Sequence, residues 1–245
     1  MKKQFKLSEY NLCSDDFVYF CSKYIKIKTN TSDKKIKFNL YKFQRDVLDS
    51  IEGNYINLII KARQMGLSKL FLAYSLWNML FNNDFSIVFI FMNTDILKNS
   101  KQIFDVMYNE LPNFLKKDIF MDNKDRVEFS NGSIIYFEKQ NNSVDKYCGQ
   151  TLNLLFVDEA QFIKNLEEIF ISTIPTILPD GHVILYSTPS EEQTFFRKLY
   201  FDNINSFNKI QIPWFFDKTK THDFYKEMEQ HMGKEMSIHE LDAKF

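Results

Sequence analysis

Apolar and polar positions alternate along this chain in blocks of two periods. Short, nearly continuous apolar runs (Tyr55–Ile60, Phe85–Phe91, Asn153–Val157, His182–Tyr186 and Lys209–Ile212) have the length and content of strands buried on both faces of a sheet. Between them lie longer stretches with helical spacing: Lys42 to about Ile51, Ser68–Leu80, Ile96–Leu111, Leu166–Thr173 and Phe195–Tyr200. Arg126–Phe129 and Ser133–Phe137 flank Ser130-Asn131-Gly132, and Asn-Gly supplies the positive φ angles of a tight hairpin turn. Strands that alternate with helices predict an α/β fold, a mostly parallel sheet with right-handed crossovers.

Both ends of the chain read differently. Ser14-Asp15-Asp16 offers short polar side chains that can cap a helix over Phe17–Tyr24, and the polar stretch Thr29–Lys35 separates that piece from the rest. Thr221–Met232 and Ser237–Phe245 read as polar helices. The expected organisation is an N-terminal helical extension over residues 1–40, a core over 41–213 and a helical linker or lid over 214–245.

Composition narrows the class without choosing a function. The 245 residues are 44% hydrophobic and 26% charged, ordinary for a globular chain with a sizeable core. The 26 phenylalanines beside six glycines, with abundant Asn and Lys, read as codon bias. A formal net charge of -1 gives no global basic field, so nucleic-acid binding would need a local one. Cys13, Cys21 and Cys148 lack metal-ligand spacing and read as free thiols of a reducing compartment. His182, His222, His231 and His239 show no paired metal spacing either. No stretch reaches the ~18 apolar residues of a membrane helix, and Met1-Lys-Lys-Gln-Phe-Lys precedes no signal core. The expectation is a soluble intracellular protein with no membrane partner.

The candidate chemistry begins at Lys61-Ala62-Arg63-Gln64-Met65-Gly66-Leu67-Ser68-Lys69, between an apolar strand and a helix. A phosphate loop normally reads G-x-x-x-x-G-K-[ST]: backbone amides cradle phosphate, the Lys reaches the β/γ oxygens and the hydroxyl binds Mg²⁺. Gly66 and Ser68 fit; Leu67 stands where the Lys belongs, and Lys61 where the first Gly belongs. A lysine at the strand end can still swing its ammonium onto the same oxygens, and Arg63 can add a second cation. A charged strand-to-helix loop without ligand is the competing reading.

Asn153–Val157 followed by Asp158-Glu159 is the strongest independent signal. An apolar strand ending in two acids is the Walker B pattern: Asp158 holds Mg²⁺ and Glu159 orients or deprotonates the attacking water. Upstream, a Gln44 amide can pair with an adenine edge, and Tyr41 and Phe43 can stack on the base. An amphipathic helix start with Phe43 in the core accounts for the same residues.

The loop resembles the deviant Walker A of viral DNA-packaging terminase large subunits, in which R-Q-x-G recurs and the lysine is often moved to the front. That resemblance implies a P-loop NTPase of the RecA/ASCE type. It gives Lys61 the role of the P-loop lysine and Arg63 the γ-phosphate, with Ser68 and Asp158 on the metal and Glu159 as catalyst. Gln44 resembles the family's Q-motif in position. His182-Val-Ile-Leu-Tyr-Ser187-Thr188-Pro189 resembles the coupling motif, so Ser187 and Thr188 would transmit hydrolysis to a moving part. Asp158-Glu-Ala-Gln161 also resembles helicase DEAx boxes, so that element does not choose between motor families.

Two departures stand out. Where terminases commonly carry Arg-Gly upstream of Walker B as a trans-acting finger, this chain has Cys148-Gly149, which leaves Arg126 or Lys146 as substitutes or as plain surface charges. Nothing after Trp214 resembles the family's ribonuclease H-type nuclease domain, so the chain reads as the motor half alone, either truncated or a naturally split subunit. The expected function is Mg-ATP hydrolysis that drives double-stranded DNA into a procapsid, with no nuclease activity. By resemblance the motor is a homo-oligomeric ring docked on a portal protein with a small terminase subunit, in the host cell cytoplasm. The rivals are a helicase-like translocase and a degenerate P-loop protein that binds nucleotide as an assembly switch; Leu67 and Cys148 keep the latter open.

Overall fold

A computed structural model describes residues 2–29, 32–140, 151–202 and 206–245. The chain opens with α1 (Lys2–Asp15) and α2 (Phe17–Tyr24), a hairpin of β1 (Lys26–Thr29) and β2 (Ser32–Lys37), and α3 (Lys42–Glu52). The core follows as β3 (Ile56–Lys61), α4 (Leu67–Phe81), β4 (Ser86–Phe91), α5 (Thr94–Asn109), β5 (Ile119–Asp122), β6 (Arg126–Phe129), β7 (Ile134–Lys139) and β8 (Leu152–Asp158). It continues with α6 (Leu166–Thr173), β9 (Ile177–Ser187), α7 (Phe195–Phe201) and β10 (Phe207–Ile212), and the chain ends in α8 (His222–Met232) and α9 (Lys234–Glu240).

Eight strands form one sheet in the order β10-β3-β9-β8-β4-β7-β6-β5. The six from β10 to β7 are parallel, and β6 and β5 add an antiparallel edge. Every residue of β3 and β4 is buried, as continuous apolar runs in a two-sided sheet require. Successive side chains feed opposite layers: Ile59, Phe89, Phe156 and Ile184 face the cluster that takes in α2, α3, α4 and α5, while Leu58, Ile60, Val88, Val157 and Leu185 face that of α6 and α7. The phenylalanines make up much of the first layer. Phe89 stacks on Phe156 at 4.4 Å between ring centroids, and Phe71 of α4 packs on Phe156 and Tyr186 at 5.0 Å each.

The predicted α/β sheet is present, with differences at its margins. Asp16 alone caps α2, accepting from the Tyr19 N–H at 2.8 Å, because Ser14 and Asp15 complete the additional helix α1. The polar stretch after Thr29 contributes β2 rather than a bare separator, and β5, exposed throughout, was not expected as a strand. α9 ends at Glu240 instead of running to the terminus. The hairpin stands as read: Gly132 has φ +81, and a Cβ there would lie 2.0 Å from Asp84 Oδ1. Cys13 and Cys21 are buried free thiols, and burial pushes Cys13 up to about 12. Among the described residues no helix is long and apolar enough to cross a membrane.

Candidate nucleotide site

The strand order decides what meets at the carboxyl edge of the sheet. β9 lies between β3 and β8, with Ser187 opposite Ile60 and Tyr186 opposite Asp158. The ends of three strands therefore bring Lys61, Asp158-Glu159 and Ser187-Thr188 together, at the edge where open α/β sheets bind ligands.

Lys61 is the last residue of β3, and its side chain is 7% exposed. Its Nζ donates to Glu159 Oε1 at 2.8 Å. From Ala62, whose N–H still bonds the Ile212 carbonyl, the chain turns through Gln64 (φ 59) and Gly66 (φ 73) into α4. Gly66 caps that helix from the left-handed region, and its hydrogen also makes room: a Cβ would sit 3.0 Å from Gln44 Nε2. Leu67 and Met65 are buried and Ala62 is fully so, which anchors the loop while its helix N-terminus faces the acids.

Glu159 is the hub. Its other oxygen accepts from Ser187 Oγ (3.1 Å), Thr188 N (3.1 Å) and Thr188 Oγ1 (3.3 Å). Burial pushes its carboxyl up, but the Lys61 charge and these donors outweigh burial and hold it below the usual range. The residue sits at φ 51, ψ 50, a left-handed conformation that costs a non-glycine residue about 1–2 kcal/mol. Its neighbour Asp158 accepts from Ser68 Oγ at 2.9 Å. Burial first, and the Glu159 charge second, raise Asp158 to about 6 despite Lys61 and Ser68.

The family model for the terminase large subunit, T4-like virus type, N-terminal part, matches residues 58–241. The chain belongs to that family. Its fold is similar to the large terminase ATPase domain of Thermus phage P74-26, with a TM-score of 0.67 at 15% identity over 85% of this chain and 94% of that one. It is also similar to the large terminase of bacteriophage HK97, with a TM-score of 0.70 at 12% identity over 94% of this chain. The large terminase of a thermophilic bacteriophage, solved with ADP, aligns with a TM-score of 0.63 at 12% identity over 82% of this chain. This chain spans 54% of the HK97 protein and 52% of the ADP-bound one.

The terminase fold brings Lys61, Glu159, Ser187 and Thr188 into one hydrogen-bonded cluster, with the bonded pair Ser68 and Asp158 next to it along the chain. Other expected site residues stand elsewhere. Gln44 is 1% exposed, and its amide faces the loop: its oxygen accepts from the Tyr41 N–H at 3.1 Å and its Nε2 donates to the Met65 carbonyl at 3.2 Å. It splints the Lys61–Ser68 loop instead of presenting an open edge. Phe43 is core, whereas Tyr41 stacks on it at 5.7 Å and is itself 42% exposed. The exposed Arg63 guanidinium is ion-paired with Glu240 of α9. Lys69, which burial lowers, lines a cavity of about 640 Å³ with Lys28, Asn99, Gln102 and Asp105, away from the acids. Arg126 pairs with Glu128 and lies over the Tyr136 ring, on a strand three places from β8. Lys146 and Cys148 lie outside the described residues.

Magnesium, which the family resemblance implies, fits the donors present. A hydroxyl and a carboxylate 2.9 Å apart are oxygen ligands of the kind a hard cation takes. Beside them the fully buried Tyr186 sets its hydroxyl against Asp158 and Ser68. Among the described residues no group of three or more His, Cys, Asp and Glu could hold a metal alone, so the remaining ligands would have to be phosphate and water.

Sequence reasoning missed four contributors. Gln161 donates through its N–H to Ser187 Oγ (3.2 Å) and through Nε2 to Ser190 Oγ (2.9 Å) and the Glu192 carbonyl (3.1 Å), linking Walker B to the segment beyond Thr188. It was visible as the last letter of the Asp-Glu-Ala-Gln run. Tyr186 directly precedes the hydroxyl pair. Lys220 and Glu240 have no sequence signal, since only the fold carries the C-terminal segment back to the loop.

Proposed function

We propose that this chain hydrolyses Mg-ATP as the motor domain of a DNA-packaging terminase and couples each turnover to movement of double-stranded DNA into a procapsid. The observation that carries the reading is the position of Glu159, which bridges the loop lysine on one oxygen and the Ser187-Thr188 pair on the other. Lys61 binds the β- and γ-phosphate oxygens, with the loop amides of residues 64–68 as the cradle, those of Ala62 and Arg63 being bonded to the Ile212 and Glu240 carbonyls. Arg63 joins them once released from Glu240. Ser68 and Asp158 hold magnesium, which supplies charge neutralisation on the phosphates. Phosphate that attracts Lys61 frees Glu159 Oε1 to orient the attacking water. Positioning and charge stabilisation supply most of the rate, as in phosphoryl transfer generally. A large terminase of similar fold from a thermophilic bacteriophage was solved with ADP and with ATP-γ-S, which supports nucleotide binding as the reading for this chain.

Tyr41 stacks on the base, and Gln44 acts through the loop it braces. Coupling runs from Glu159 to Ser187 and Thr188. The partners by family are double-stranded DNA, the portal protein and the small terminase subunit. The working assembly is a homo-oligomeric ring in the host cytoplasm, with Arg126 or Lys146 as candidates for the trans-acting cation. ATP turnover of the wild type, Lys61→Ala and Glu159→Gln tests the reading. Glu159→Gln should keep ATP binding and lose turnover by two or more orders of magnitude, about the scale of a lost catalytic group. Equal low turnover in all three would sink the motor, and tight binding without turnover in the wild type would leave the switch.

A further inference from the structure

Lys61, Arg63 and Lys220 converge on the phosphate loop, and among the described residues an acid answers the first two but not the third. Lys61 is paired with Glu159 and Arg63 with Glu240. The third comes from the turn before α8: Lys220 Nζ donates to the Arg63 carbonyl at 2.9 Å and lies 3.7 Å from Met65 Sδ. Lys220 forms no ion pair among the described residues. Asp217, three residues before it, accepts at Oδ1 from both the N–H (3.0 Å) and the Oγ1 (2.7 Å) of Thr219. The backbone fixes the ammonium's approach, since Lys220 N donates to the Asp217 carbonyl at 3.0 Å.

A half-buried ammonium near the Lys61 charge, with a carbonyl and a thioether for company, is unfavourable unless an anion joins it. Burial lowers the Lys220 pKa and the Lys61 charge lowers it further, against the pull of Asp217. The backbone it touches is the strand-to-helix turn whose amides form the phosphate cradle. We propose that Lys220 is a phosphate-binding residue of the nucleotide site: its ammonium exchanges the Arg63 carbonyl for an oxygen of the terminal phosphates of a nucleoside triphosphate. The inference rests on the nucleotide reading above. It assigns to the C-terminal segment a direct part in discriminating triphosphate from shorter nucleotides.

The test measures binding of ATP, ADP and AMP with Mg²⁺ by calorimetry for the wild type, Lys220→Met, Lys220→Arg and Lys61→Ala, with unliganded melting curves of each. Loss of a charge-assisted hydrogen bond should weaken ATP about ten- to a hundred-fold in Lys220→Met, ADP less and AMP hardly at all. Lys220→Arg should recover part of the loss, and the unliganded melting temperature of Lys220→Met should be no lower than the wild type's. Unchanged ATP affinity would overturn the proposal. So would equal weakening of all three nucleotides with a lower melting temperature, which would make Lys220 a loop brace; Lys220→Gln repeats the measurement if the Met variant does not fold. Wild type and Lys61→Ala both failing to bind ATP would overturn the nucleotide reading itself.

Discussion

Replacing Asp158 by Asn should make this protein more stable and inactive at once. Asp158 is 5% exposed and its pKa is raised from 3.8 to about 6, first by burial and then by the adjacent Glu159 charge. A carboxyl whose pKa rises on folding favours the folded state at a pH below its unfolded value, and that advantage is lost as pH climbs through the folded value. At pH 8 the charged side chain is therefore a net burden. A shift of about two units at 1.36 kcal/mol each is about 3 kcal/mol. The Asn side chain keeps an oxygen for Ser68 Oγ and removes the charge. Urea or thermal melts without nucleotide should show Asp158→Asn more stable than wild type at pH 8, by up to roughly 6–12 °C for a chain of this length. The gap should close between about pH 6 and pH 4, where the wild-type carboxyl takes up its proton. Mg-ATP should stabilise the wild type and leave the variant unmoved. A variant that melts at or below wild type at pH 8, or a difference that ignores pH, would refute the reasoning.

Two further outcomes follow from the geometry. Gln44→Leu removes the bonds to the Tyr41 N–H and the Met65 carbonyl, and should weaken ATP binding by roughly tenfold through a loosened loop; titration with ATP checks it, and adenosine affinity should hardly change if Tyr41 alone meets the base. Gly132→Ala places a methyl group 2.0 Å from Asp84 Oδ1 at a positive φ, and should cost about 1–2 kcal/mol or more in denaturant melts while ATP turnover persists.

The parallel core was legible because strands buried on both faces leave unbroken apolar runs such as 85–91, and helices between them leave a second period. The margins were not. β5 is exposed at all four positions, so no burial pattern marks it, and β2 carries one isoleucine among charged and polar residues and is a strand only because β1 pairs with it. At the site, positions set by local structure could be read: Ser68 opens α4 behind the Gly66 cap, and Asp158 ends β8. Gln44 shows the limit. Its position near the loop was recognised, but whether an amide faces a base or a backbone depends on how α3 packs against Gly66. Glu240 and Lys220 contact the loop from 177 and 157 residues away, a distance no local pattern spans.

The central place of β9 has a mechanical consequence. Its eleven residues run roughly 35 Å, clamped by parallel ladders to β3 on one side and β8 on the other. Sliding it would break both ladders together, so the strand behaves as a fixed wall under any pull applied at Ser187. Were Glu159 to release Ser187 and Thr188, the change would pass along the chain to the 188–194 stretch and the helix α7 that Thr194 caps. Gln161 already tethers that stretch at Ser190 and Glu192. A stroke generated here would leave the sheet still and swing the surface beyond it.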